Sequence, residues 1–143
     1  MNQAALAETQ VADYRGCVVL IFSSDRMFLD YYRTMFLSLG FSPVTATTPQ
    51  AAKGILRLAI IVYMVVDFDE GAQTSREIIH YARQTQSHAP VVVMSRKADE
   101  NLHHNTTDLG ATDYLEHPAL LDEVLQALVQ QHASAQNVHS FHT

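Results

Sequence analysis

The chain is short of basic residues, of cysteine and of long apolar runs. Nine Lys and Arg stand against 15 Asp and Glu, for a net charge of -6. So little positive charge leaves no electrostatic footprint for nucleic acid, and no nucleic-acid contact is expected of this domain alone. One cysteine, Cys17, excludes an internal disulfide and fits a reducing compartment. The apolar stretch from Leu58 to Val66 is the longest. It is far shorter than the roughly 20 residues a membrane span needs. The first turns of the sequence have neither a basic start nor an apolar run, so no targeting signal is legible. A soluble, cytoplasmic protein without membrane contact is expected. No repeat divides the 143 residues, a length that suits one domain.

What is present is a rhythm of short buried strands and amphipathic helices. Cys17 to Phe22 is a continuous apolar run closed by Ser23-Ser24-Asp25, as in a strand covered on both faces. Met27, Phe28, Tyr31, Tyr32, Met35, Phe36 and Leu39 then recur at helical spacing over 25–39, with Gly40 as the stop. Met27, Phe28, Met35 and Phe36 are taken as the core stripe of that helix. Residues 42–47 form a strand candidate. Thr48-Pro49 opens a helix to about Leu58, with Thr48 as N-cap.

Ala59 to Val66 is expected to be a central strand, with Ile60, Ile61 and Val62 in the core. It leads into an acidic loop, Asp67-Phe68-Asp69-Glu70-Gly71. A helix over 75–83, a strand over 90–95, a weak helix over 98–109, a short strand over 112–115 and a helix over 118–131 complete the pattern. The last helix should bury Leu121, Val124, Leu125 and Leu128. The pair His103-His104 is read as a solvated face, because neighbouring helical residues diverge. His132, His139 and His142 belong to a polar tail.

Five strands alternating with helices predict an α/β fold, a doubly wound five-stranded parallel sheet. In such sheets ligands meet the carboxyl ends of the strands. That places Ser23, Ser24, Asp25, Asp67, Asp69, Ser95 and His117 together.

Asp67 ending an apolar strand, Ser95 ending the next, and the stretch Gly110-Ala111-Thr112-Asp113-Tyr114-Leu115-Glu116-His117-Pro118 resemble the receiver domain of two-component response regulators. The resemblance covers about Cys17 to Gln130. It implies a flavodoxin-like (βα)5 domain over 16–131, with a tail or helix extension over 1–15 and a tail over 132–143. It implies a signalling module, not an enzyme. Asp67 would be the phosphoacceptor, and Ser95 and His117 would contact the phosphoryl group. Ser95 and Tyr114 would form the switch. The partners implied are a histidine kinase, a phosphotransfer protein or an effector. A homodimer through the last strand and its flanking helices is implied as well.

Two positions depart from that family's pattern. Its adjacent acids at the end of the first strand, which hold Mg²⁺, are here Ser23 and Ser24. Its lysine before the last loop's proline is here His117. Mg²⁺ prefers carboxylate oxygens in octahedral geometry, so its hold on this site is expected to be weak. Asp25, Asp67 and Asp69 are the carboxylates from which a displaced metal site could be built, although Asp25 also suits a helix cap. His117 supplies charge only when protonated, near an ordinary pKa of about 6.5. One alternative is a pseudo-receiver that binds its partner without phosphorylation. The other, a flavin-binding doubly wound enzyme, is opposed by a loop at 23–28 without glycine.

Overall fold

The computed structural model describes residues 15–86, 88–96 and 110–129. In chain order these form β1 (Val18–Phe22), α1 (Arg26–Ser38), β2 (Ser42–Ala46), α2 (Pro49–Leu58) and β3 (Ile61–Asp67). A 3-10 turn (Phe68–Glu70), α3 (Ala72–Thr85), β4 (Val91–Ser95) and β5 (Asp113–Glu116) follow. A last helix, α4, covers 121–129. All strand pairs are parallel, in the order β2-β1-β3-β4-β5. The expected doubly wound, flavodoxin-like sheet is the one observed. The expected helix over 98–109 with its histidine pair, and the two tails, lie outside the described residues. None of the described helices is long and apolar enough to cross a membrane.

The strands separate two cores. On one face Val19, Ile21, Tyr63, Val65, Val92 and Met94 pack against Phe28, Tyr32 and Phe36 of α1 and Val124 and Leu128 of α4. On the other, Leu20, Phe22, Met64, Val66, Val91 and Val93 meet Ala52 and Leu56 of α2 and Ile78, Ile79 and Ala82 of α3. Alternate residues of one strand thus feed opposite layers, the period-two rule of a strand buried on both sides.

Local signals set the boundaries. The Asp25 carboxylate accepts from the Met27 N–H at 2.9 Å and caps α1. Thr48 caps α2 with its hydroxyl, and Pro49 occupies its first turn. Gly110 has φ +100°, and a Cβ there would lie 3.3 Å from Arg83 Nε. Arg83 Nε donates to the Gly110 carbonyl at 3.0 Å, tying α3 to the approach to β5. A glycine at this point both permits the turn and admits the guanidinium.

Four core assignments need correction. Met27 is 81 % exposed, because it lies in the first turn of α1, beyond the sheet. Ile60 is 85 % exposed, because β3 begins one residue later, and Val62 is partly exposed too. The register between β1 and β3 slips so that Val18 faces Ile61 and Val19 faces Tyr63, leaving Val62 unmatched in a bulge. Leu121, the first residue of α4, also remains largely exposed.

The lead-in to β3 is held by Gln86 at the end of α3. Its Oε1 accepts from Ile61 N at 2.7 Å, and its Nε2 donates to the carbonyls of Leu56 and Ala59 at 2.8 and 2.6 Å. Replacement strands three partly buried backbone groups. We predict that Gln86→Ala lowers stability by about 2 kcal/mol. Urea unfolding should show a lower midpoint with an unchanged slope; an unchanged midpoint contradicts the assignment.

Candidate functional site

Strand order reverses at β1, which lies between β2 and β3. The crevice at such a reversal opens at the carboxyl ends of the strands. Ser23 follows β1, Asp67 ends β3 and Ser95 ends β4, so one rim carries all three. The sequence places Asp25, Asp69, Glu70 and Arg96 within three residues of these strand ends.

Asp67 is buried, with 2 % of its surface exposed. Its Oδ2 accepts from the Ser23 hydroxyl at 2.7 Å, and its Oδ1 from the Asp69 N–H at 3.0 Å. The same Ser23 hydroxyl lies 3.1 Å from Glu70 Oε1. A serine has one hydroxyl hydrogen, so two carboxylates share one donor. Glu70 is further held by the Ser24 hydroxyl, at 2.7 Å from Oε2, and by the Ser24 N–H. Burial raises the Asp67 pKa above the ordinary 3.8. The bonds from Ser23 and the Asp69 N–H oppose the rise, and the charges of Asp69 and Glu70 add to it.

Asp69 turns the other way, towards β4. Its Oδ1 accepts from the Ser95 hydroxyl at 2.8 Å, and its Oδ2 accepts from the Arg96 N–H at 3.0 Å. The Arg96 guanidinium lies 3.4 Å from Asp69 Oδ2 and 2.9 Å from Asp25 Oδ2. This contact is the first cause of the lowered pKa of Asp25, which also caps α1. One guanidinium therefore bridges the ends of β1 and β3 from the end of β4.

His117 follows β5. Its Nδ1 is 2.7 Å from the hydroxyl of Tyr32, a fully buried side chain of α1. That hydroxyl accepts from the Ala119 N–H at 3.0 Å. The hydrogen bond between the Tyr32 hydroxyl and Nδ1 runs in the direction that the imidazole tautomer sets. Burial lowers the His117 pKa, and the nearby Arg96 charge lowers it further, against smaller opposing effects of Asp67, Asp69 and Asp25. The imidazole is thus neutral near pH 7 and brings no fixed positive charge. The His117–Pro118 peptide is cis. Tyr114 is half-buried against the α2–α3 layer.

The sequence reading considered Asp25, Asp67 and Asp69 as metal ligands. The structure does not gather them into such a set. Two are directed at Arg96 and the third at Ser23, and no group of three His, Cys, Asp or Glu among the described residues could hold a metal ion. Mg²⁺ requires near-octahedral oxygens at about 2.0–2.1 Å. These residues do not fit it, since the Ser23 and Ser24 hydroxyls are taken by carboxylates and two of the acids by a guanidinium.

Sequence reasoning missed Glu70, Arg96 and Tyr32 as members of the site. Glu70 stood in the acidic loop and Arg96 directly after Ser95, so their positions at strand ends were visible. Their side-chain directions were not.

No protein-family model matches the chain. The chain is similar to the photosynthetic apparatus regulatory protein RegA of Rhodovulum sulfidophilum, with 30 % identity over 111 residues. That alignment covers 78 % of this chain and 61 % of RegA, so the chain spans less than two thirds of this relative's length. Among solved structures it resembles a response regulator from Thermotoga maritima, at 27 % identity and a TM-score of 0.74, covering 81 % of this chain and 97 % of that one. It also resembles a CheY-like response regulator receiver domain protein from Methanospirillum hungatei JF-1. The TM-score there is 0.75 over 85 % of this chain and 98 % of the other, and the 14 % identity bears on the fold alone.

A carboxyl whose folded pKa is raised binds its proton more tightly in the folded chain. Ionisation of Asp67 therefore opposes folding. The penalty is absent below the ordinary value of 3.8, grows as pH rises to the folded value, and is complete above it. We predict that Asp67→Asn raises the thermal midpoint at pH 7 by a few degrees, with the gain vanishing below pH 3.8. A lower midpoint at pH 7 contradicts this account of Asp67.

Proposed function

We propose that the chain is a response-regulator receiver domain, a signalling module in which Mg²⁺-dependent phosphorylation of Asp67 is weak or absent. The observation that carries this proposal is the bond from Ser23 to Asp67. The position after β1 offers the phosphoacceptor a neutral hydroxyl at 2.7 Å instead of a metal-binding acid.

Phosphoryl transfer depends on positioning and on neutralising the charge that gathers on the phosphoryl oxygens. A metal ion ordinarily supplies much of that charge. Here Ser23 and Ser24 are uncharged, and His117 is neutral near pH 7. Ser95 retains the hydroxyl proposed to contact a phosphoryl group, and Tyr114 the aromatic ring proposed to respond to it. Asp67 keeps the phosphoacceptor position, but its charge is disfavoured by burial. The partners proposed are a histidine kinase or phosphotransfer protein, or an effector that docks on β5 and its neighbouring helices.

A second interpretation, a domain that binds its partner without any phosphorylation, is favoured by one further contact. The Ser95 hydroxyl already has an anionic acceptor in Asp69.

Intact-mass measurement after treatment with a small phosphodonor separates these outcomes from ordinary receiver chemistry. Little or no phosphoryl adduct is expected, whether or not Mg²⁺ is added, and Asp67→Asn should remove whatever forms. The double variant Ser24→Asp, His117→Lys should raise the Mg²⁺-dependent yield. Near-stoichiometric, Mg²⁺-dependent phosphorylation of the unaltered chain contradicts the proposal.

A further inference from the structure

At the carboxyl rim, two carboxylates pair with one guanidinium, and further acids lie beside them in the chain. Asp25 follows β1, Asp67 ends β3, and Asp69 and Glu70 lie in the turn after it. Like charges gathered this closely repel unless a counter-charge sits among them. Arg96 provides one, at 2.9 Å from Asp25 and 3.4 Å from Asp69. Its own backbone N–H is donated to Asp69, so the residue is fixed at both ends.

We infer that Arg96 is the resident cation of this pocket: its guanidinium takes the charge-neutralising place of a divalent ion, and Asp69 takes the donors of a phosphoryl group. The inference rests on the proposed function above and deepens it. The two oxygens of Asp69 accept the Ser95 hydroxyl and the Arg96 N–H. These are the donors that the end of β4 directs at the rim. A phosphoryl group on Asp67 would have to compete with Asp69 for them. The end of β4 is therefore drawn to the end of β3 by groups already in the chain.

Charge and geometry both set the guanidinium against a metal ion. Asp25 and Asp69 are two of the three acids from which a metal site could be built, and the guanidinium fork already holds both. Arg also keeps its charge at every pH a protein tolerates, so the pocket stays compensated where His117 is neutral. Each ion pair is substantially exposed. Such pairs contribute little to folding, so Arg96 can be changed without unfolding the domain.

The test is a titration of the full chain with MgCl₂ alone, against NaCl of equal ionic strength, followed by calorimetry and by thermal midpoint. Unaltered protein is expected to show no saturable Mg²⁺ binding up to about 10 mM, roughly ten times the millimolar dissociation constants of weak Ca²⁺ sites. Arg96→Gln should gain saturable binding, because the acids lose their counter-charge. Its midpoint should rise by about 4 °C at ten times the dissociation constant. Arg96→Lys keeps the charge and should gain none.

If Arg96→Gln stays silent while the unaltered chain is also silent, this inference fails and the proposed function stands. The inference is equally overturned if Arg96→Lys gains as much as Arg96→Gln. If the unaltered chain itself binds Mg²⁺ saturably and takes a phosphoryl group with it, the proposed function fails first.

Discussion

A buried carboxylate at the end of a parallel strand is the constraint on which the rest of this rim depends. Asp67 is 2 % exposed and lies beside Asp69 and Glu70. Each charge taken out of water must be compensated or protonated. The chain uses both routes. Burial moves Asp67 towards its protonated form, while Arg96 draws Asp25 away from it. In ordinary receivers the resemblance leads one to expect a metal ion and a lysine for this purpose. Here the Ser23 and Ser24 hydroxyls meet Asp67 and Glu70, and the Arg96 guanidinium meets Asp25 and Asp69.

The magnitudes separate scaffold from site. Thirty described apolar residues are buried, and each fully buried large side chain is worth about 1.5–3 kcal/mol. The exposed ion pairs of Arg96 contribute little by comparison. The fold therefore does not need the rim network, and the network is free to set charge rather than stability. Tyr32 links the two levels. It is fully buried in the core beneath α1, yet its hydroxyl fixes the His117 imidazole and the Ala119 N–H. The orientation of the loop after β5 is thus set from inside the hydrophobic layer.

Much of this architecture was legible in the sequence. Continuous apolar runs marked the buried strands, and helical spacing marked α1. Thr48-Pro49 and Asp25 marked helix starts, because capping and first-turn chemistry act locally. Strand ends then located Asp67 and Ser95. The errors arose where the sheet's own geometry intervened. Ile60 lies before the strand proper, and a register slip leaves Val62 partly exposed, which no pattern of residue types reveals. The site was legible in its positions but not in its pairings. Asp69 could have faced Asp67 or β4, and only packing of the ends of β3 and β4 decides that it meets Ser95 and Arg96. Glu70 was passed over because nothing in spacing alone shows that its side chain returns to Ser23 and Ser24.

The central claim is that the end of β4 is held against Asp69 in the chain as synthesised, without phosphorylation. Amide hydrogen exchange at residue 96 of the untreated full chain tests it most directly, since that N–H is the one given to Asp69. The account predicts clear protection there, unchanged by a phosphodonor with Mg²⁺ and lost in Asp69→Ala. Rapid exchange that slows only after phosphodonor and Mg²⁺ are added contradicts it.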